Sequence, residues 1–288
     1  MNKNICRMVT DRLIERMEQG EIPWRKPWIF TGKGAISHST GKPYSLLNQI
    51  ILPGAGEYIT FNQCSAEGGK VKKGVKGYPV VFWKQNTVKE LNENGEEITR
   101  YIPILRYYTV FRIEDCEGIS PKWNSADSTR PGLELEPIEA AEAVINNYAA
   151  HNPALRIERE EQTDKAYYSP GFDCVVVPAL EQYAEVAEYY STLFHELTHS
   201  TGHKSRLNRL TKTAAFGSAE YSKEELTAEI GAATLNTYCS IDSDKAMTNS
   251  AAYLQSWIKA LKNDPTMIIT AAGKAEKAVN YILDGLNA

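Results

Sequence analysis

Apolar positions at the start of the chain recur at helical spacing. Ile5, Met8, Val9, Leu13, Ile14 and Met17 fall near one face of a 3.6-residue repeat, and Gly20 can stop the run, so a helix is predicted over residues 5–19. The period then changes. A stretch punctuated by Pro23, Pro27, Gly32, Gly34, Gly41 and Pro43 gives way to short runs at 58–61, 78–83 and 107–113 that read as strands. Asn92-Glu93-Asn94-Gly95 lies between Thr87-Val88 and Ile98-Thr99 and fits a hairpin turn, because Asn and Gly tolerate positive φ. From Gly118 to Pro137 there is little periodicity, as expected of a linker. Beyond it the pattern predicts an alanine-rich helix over 137–150, a strand hairpin through 166–168 and 174–177, and helical segments near 179–200, 222–239 and 249–286. The last is interrupted at Asp264-Pro265. The reading is an α+β chain of two domains: 1–115, small and mixed α/β, and 136–288, mainly helical with a short antiparallel sheet, joined by a linker over about 116–135.

Composition adds bounds. At 288 residues the chain exceeds one ordinary hydrophobic core, and 42% hydrophobic with 24% charged residues suits a globular protein. No apolar run reaches the roughly 18 to 20 residues that span a bilayer, and Asp11, Arg12, Glu15 and Arg16 stand where a signal peptide needs an apolar core. A cytoplasmic location with no membrane partner is expected. Cys6, Cys64, Cys116, Cys174 and Cys239 are odd in number, scattered and never in a C-x-x-C pair, so reduced structural thiols are expected. The net charge of -4 hides an asymmetry. Residues 1–112 hold 17 Lys and Arg against 10 Asp and Glu, +7, and the remainder holds 15 against 26, -11. Opposite charge on the two halves points to two tasks, one with an anionic partner.

Three of the five histidines fall within nine residues, in His195-Glu196-Leu197-Thr198-His199-Ser200-Thr201-Gly202-His203. On a helix His195 and His199 lie on one face and can offer imidazole nitrogens to one Zn2+, with Glu196 beside them as general base toward water. Chance would give such an H-E-x-x-H pattern in about one chain in a hundred of this composition. Ala184, Ala187, Tyr190, Leu193, Phe194 and Leu197 make the preceding residues a largely buried helix, which disfavours two surface histidines on an ordinary amphipathic helix. A catalytic zinc needs a third protein ligand and an open position. The metzincin pattern would place a histidine where this chain has Ser205, and His203 follows Gly202, beyond the helix. Glu225-x-x-Ala228-Glu229 resembles the E-x-x-x-D segment of gluzincins, whose first acid binds zinc and whose second orients a ligand histidine. Glu225 is thus the expected third ligand. Ser222 and Glu225 also form an S-x-x-E capping box, in which case Glu229 would take the ligand role. Tyr221 could stabilise an oxyanion or simply pack.

The basic half interleaves rings and cations: Trp24-Arg25-Lys26-Pro27-Trp28, Lys33, Lys42-Pro43-Tyr44, then Lys70 to Gly77, ending in Phe82-Trp83-Lys84. Bases of single-stranded nucleic acid stack on rings while phosphates meet cations, so Trp24, Trp28, Lys33, Tyr44, Lys72, Lys73, Lys76 and Trp83 are candidate DNA-binding residues. The blander reading puts the tryptophans in the core and the lysines on a solvated turn. Pro23 to Trp28, Gly41-Lys42-Pro43-Tyr44 with Asn48, Thr60-Phe61-Asn62-Gln63, Lys72 to Gly77, His195 to His199 with Thr201-Gly202-His203, and Glu224 to Glu229 occur in this order. On these motifs nearly the whole chain resembles the ArdC antirestriction family carried by conjugative plasmids and other mobile elements. Where that family has Tyr-Arg-Gly-Ile-Asn, this chain has Tyr44-Ser45-Leu46-Leu47-Asn48 and lacks the cation. The resemblance implies an amino-terminal single-stranded DNA-binding domain, a carboxy-terminal zincin-like metallopeptidase domain, and protection of incoming DNA from host restriction. It also implies single-stranded DNA and a protein substrate, such as a host restriction component, as partners. Two accounts follow: the zinc site cleaves a protein, or the DNA-binding domain protects alone and the zinc is structural or vestigial. Glu196 favours the enzyme, since a structural site needs no general base.

Overall fold

A computed structural model describes residues 2–25, 34–91, 97–123, 137–210, 219–242 and 251–286. The first helix, α1 (Lys3–Glu18), is capped by Asn2, whose side chain accepts from the Asn4 amide; it buries Ile5, Val9, Leu13, Ile14 and Met17 as the spacing predicts, adds Cys6, and leaves Met8 only partly buried. Then follow β1 (Ala35–Ser37), α2 (Leu46–Ile51), β2 (Gly56–Thr60), α3 (Phe61–Ala66), β3 (Lys70–Val71), β4 (Tyr78–Leu91), β5 (Glu97–Arg112) and β6 (Cys116–Glu117). The main sheet has the order β1-β2-β5-β4, with β1 parallel to β2 and the other pairs antiparallel, while β3 and β6 form a separate antiparallel pair.

Three features of this half escaped the hydrophobic pattern. The run at 58–61 ends one residue early, because Thr60 turns to cap α3 in a capping box with Gln63. In α2 two side-chain amides stand in for strand neighbours: Asn48 pairs with both backbone groups of Val81 at 2.8 and 2.9 Å, and Gln49 does the same for Ala35 at 2.8 Å. They satisfy buried backbone that no strand reaches. β4 and β5 are one long hairpin, paired from Tyr78↔Val110 to Leu91↔Glu97. Toward the tip, over Glu97 to Pro103, the ribbon covers no core on either face, so no strict alternation is imposed on its sequence. Its expected turn at Asn92 to Gly95 lies outside the described residues.

The second half runs α4 (Pro137–His151), β7 (Arg156–Glu160), β8 (Tyr167–Ser169), β9 (Cys174–Pro178), α5 (Val186–Ser200), α6 (Ala219–Tyr238), α7 (Ala251–Asn263) and α8 (Met267–Ile282). Its sheet, β7-β9-β8, holds the expected antiparallel pair β8–β9 and adds a parallel strand, β7. The α+β, two-domain architecture thus stands, with a mixed sheet in the second half. Helix α5 starts later than predicted, since Leu180–Gln182 is a separate tight turn and Glu185 is extended. The break before α8 is held by Asp264, whose side chain accepts from the Thr266 amide at 2.9 Å.

Two large cores organise the chain. One collects Tyr148, Val175, Val177, Tyr189, Leu193, Phe194 and Leu197 with residues of α6 and α8. The other unites α1, Trp24, α2, Val81 and Leu105 with Leu226, Ile230 and Ala233 of α6, Ile258 and Leu261 of α7, and Ile268 to Ala275 of α8. The linker expected at 116–135 thus opens with β6, paired to β3, and the described part of the first half runs on to Trp123, while residues 124–136 lie outside the described residues; the two halves share one core. All five cysteines are free and buried, and among the described residues no helix is long and apolar enough to cross a membrane.

Candidate metal centre and nucleic-acid interface

Helix α5 turns Leu193, Phe194 and Leu197 into the core and leaves His195 and His199 on its other side. Its carboxy-terminal end is fixed to the sheet: Tyr148 bonds the Ser200 hydroxyl at 2.9 Å, and the Arg206 guanidinium reaches the Ser200 carbonyl at 2.7 Å while clasping Asp173. Helix α6 crosses α5 at Gly231. A Cβ there would lie 2.6 Å from the Thr198 side chain, so only glycine permits this approach.

The crossing brings carboxylates of the first turns of α6 to the histidines. Glu225 Oε2 lies 3.5 Å from His195 Nε2 and its Oε1 3.4 Å from His199 Nε2, and the two Nε2 atoms are 3.1 Å apart. Ligands about 2.0 to 2.1 Å from a tetrahedral Zn2+ would be separated by about 3.3 to 3.4 Å, so these donors fit one such ion. Among the described residues His195, His199 and Glu225 are the group able to hold a metal. Burial tends to raise the Glu225 pKa, yet hydrogen bonds from His195 and His199 hold it far below the usual carboxylate range. Burial likewise tends to lower that of His199, but hydrogen bonds to Glu224 and Glu225 raise it to about 10. Glu196 is buried in the same helix and its charge acts on His199.

Around this group the structure differs from the sequence reading in three ways. Because α6 begins at Ala219, Ser222 is inside the helix and no capping box withdraws Glu225. The carboxylate that orients His199 is Glu224, which sequence reasoning passed over. It takes the Nδ1 hydrogen bond at 3.1 Å and is itself gripped by Arg209 at 2.8 to 3.2 Å, with side-chain exposures of 10% and 7%. Glu229 does not join the group: it faces Tyr253, and its Oε2 is buried with no hydrogen-bond partner among the described residues. Tyr221 borders the centre, its phenol pushed up to about 12 by burial and by its hydrogen bond to Glu225. His203 turns to Ser205 at 2.7 Å, outside the donor group.

The proposed DNA contacts scatter. Trp24 is 2% exposed and meets Trp257 edge-on in the shared core, with centroids 6.2 Å apart, so no base can stack on it. Lys72 is spent on the Glu114 carbonyl at 2.7 Å, and Lys73 and Lys76 are exposed. Tyr44 is half-buried against Tyr58, Trp83 is exposed on the hairpin, and Trp28 and Lys33 lie outside the described residues. Phe82, quoted beside Trp83 but not counted among the candidate contacts, is exposed as well, and the exposed rings Tyr101, Tyr107 and Tyr108 were missed. A signal existed, since Arg106-Tyr107-Tyr108 joins cation and rings in a run read only as a strand.

Comparison with known proteins gives consistent results. Residues 3–111 match the family described as the N-terminal domain of anti-restriction factor ArdC, and residues 140–274 match the zincin-like metallopeptidase family. Two DNA primase TraC proteins of Escherichia coli are 34% and 33% identical over 98% and 96% of this chain, which spans 27% and 20% of their length. The uncharacterized protein y4eC of Sinorhizobium fredii is 31% identical over 97% of this chain and 91% of its own. Crystal structures of the antirestriction protein ArdC from plasmid R388, metal-free and Mn(II)-bound, align with TM-scores of 0.70 at 34% and 31% identity. Each alignment covers 97% of this chain and 96% or 97% of the other.

Proposed function

Because the chain belongs to the ArdC antirestriction family, we propose that it is an antirestriction protein of a mobile genetic element, holding single-stranded DNA with its amino-terminal half and cleaving a protein at a zinc centre in its carboxy-terminal half. The observation that carries the enzymatic part is the donor geometry: two Nε2 atoms and one carboxylate at 3.1 to 3.5 Å from one another, with Glu196 in the next helical position. That a relative was solved with Mn(II) bound supports a divalent metal cofactor. When bound, zinc would lower the pKa of water to about 7 and polarise a carbonyl. The protein's own residues do the rest. His195, His199 and Glu225 would hold the ion, Glu224 fixes the His199 tautomer by accepting from Nδ1, and Glu196 would accept the proton of the attacking water and return it to the leaving amine. The substrate is a protein met on incoming DNA, a host restriction component being the class that fits the family. Proteomics of cells expressing wild type against Glu196→Gln tests this. A protein fragment that requires Glu196 is expected, and identical proteomes with full zinc occupancy in both would refute the peptidase.

A further inference from the structure

The exposed rings of the amino-terminal half are not randomly placed. Val80 pairs with Tyr108 and Phe82 with Arg106, so Phe82, Tyr108 and Arg106 share one face of the β4–β5 hairpin, and Lys84 follows on it. Phe82 and Tyr108 stand 5.7 Å apart between centroids and are 42% and 39% exposed. Tyr108 also lines a cleft of about 470 Å3 together with Lys42, Pro43, Tyr44, Thr60 and Gln63. That volume is in the range of pockets that take a small organic group, and no carboxylate lines it.

The far side of the cleft is built to hold its shape. Ser37 donates to the Lys42 carbonyl at 2.9 Å and Tyr44 to that of Ala35 at 3.1 Å, closing the turn that presents Lys42 and Tyr44. Gly41 sits in it at φ 67°, where a Cβ would meet the Trp123 ring at 2.8 Å. Trp123 is pinned in turn, its indole donating to the His38 carbonyl at 2.8 Å and its amide to Glu57 at 2.6 Å. Buried His38 ties Glu57 and Glu67 at 2.5 and 3.1 Å, and Lys122 also pairs with Glu67. The nearby acids are therefore taken up by His38, Lys122 and the Trp123 amide, leaving the cleft and its ring-bearing margin with Lys42, Arg106 and Lys84.

We propose that this cleft is a nucleotide subsite for single-stranded DNA, taking one base against Tyr44 and Tyr108 with its phosphate at Lys42, the strand continuing over Phe82 toward Arg106 and Lys84. The proposal rests on the single-stranded DNA reading above and moves its centre away from Lys72, Lys73 and Lys76. Rings standing on a pleated sheet beside cations offer faces that only unstacked bases can cover, which favours a single strand over a duplex.

Titration of the full-length protein with a labelled oligothymidylate over a salt series tests it. Tyr108→Ala and Phe82→Ala should each weaken binding about 5- to 150-fold without changing the salt slope. Lys42→Ala and Arg106→Ala should each flatten the slope by about 0.7. An oligonucleotide with abasic sites should be insensitive to the two ring variants. Since Tyr108 borders a small core, iododeoxyuridine crosslinking of the wild-type protein gives a second readout, expected on peptides within 78–84 or 101–112. Crosslinks confined to residues 70–77 or to the carboxy-terminal half would overturn the subsite. Tight binding by wild type with all four variants within twofold would overturn it and spare the DNA reading, and equal affinity for duplex with silent ring variants would also overturn it. Wild type that binds no oligonucleotide would remove both.

Discussion

Replacing Glu224 with Gln probes how the centre holds its metal. The substitution keeps the shape of a side chain that accepts one hydrogen bond from His199 and several from Arg209, and removes its charge. Arg209 has 7% of its side chain exposed and would lose its counter-charge, which for a buried pair costs about 3 to 5 kcal/mol of stability. His199 would keep only one neutral acceptor, Oε1, shared with Arg209 in place of a carboxylate, and partners of this kind typically account for about 10- to 100-fold in metal affinity, or about 1.4 to 2.7 kcal/mol, when removed, which sets the upper bound for the loss. Glu225→Gln, which removes a direct donor, should lose more. Competition for zinc against a chromophoric chelator measures both against wild type, with circular dichroism to confirm folding at the assay temperature. Arg209→Met is a useful companion, because Glu224 would remain to accept from His199, so zinc should weaken less than in Glu224→Gln while stability still falls. If Glu224→Gln binds zinc within twofold of wild type and Glu229→Gln loses tenfold or more, the orienting carboxylate is Glu229 and the argument fails.

Asp173→Asn isolates the charge that anchors α5 to the sheet, since Asn also tolerates the φ of 46° found there, and it should destabilise the fold by about 3 to 5 kcal/mol by leaving buried Arg206 unpaired. Burial tends to raise the Asp173 pKa, but hydrogen bonds from Arg206 and Tyr168 set it below the ordinary value, so the stabilisation is complete above about pH 4 and is lost as pH falls through the folded value. Melts should show a constant gap between wild type and variant from about pH 5 to pH 9, and a gap that closes inside that window would refute the linkage. Co-expressed segments 1–115 and 136–288 should copurify through the shared core, and two halves that elute separately with native near-ultraviolet dichroism would count against it.

The metal centre was the legible part of the sequence, because imidazole ligation on one helix demands a spacing of four and the chain supplies it at His195 and His199. Glu225 was legible through a second spacing. Glu224 was not, for a physical reason: adjacent residues on a helix diverge by about 100°, and which of two neighbouring acids meets a histidine depends on how α6 crosses α5. That crossing is set at Gly231 against Thr198, a contact with no local sequence signature. The interface was harder still. A tryptophan beside arginine and lysine reads the same whether it faces DNA or a helix, and Trp24 faces Trp257, 233 positions along the chain. Of the exposed rings on the hairpin, Phe82 and Tyr108 lie far apart in the sequence, and that they share one face emerges only once the register is known.

The same shared core explains why α6 lacks an amphipathic pattern. A helix packed on one side follows a 3.6-residue alternation, but α6 contributes Leu226, Ile230 and Ala233 to the core containing α1 and Trp24, and Ala232, Leu235 and Tyr238 to the core beneath α5. Apolar residues are therefore wanted on most of its circumference, and polar ones survive where they have a task, as Glu224 and Glu225 do. The helix that carries the third metal donor is thus fixed from the side of the amino-terminal half as well as from α5. A contact at Glu225 measured in tenths of an ångström depends on burying Leu226 and Ile230 against residues of the half that we assign to DNA. Joining the two halves in one chain here means more than a tether, because the packing that seats the basic half is part of what positions the carboxylates of the acidic one.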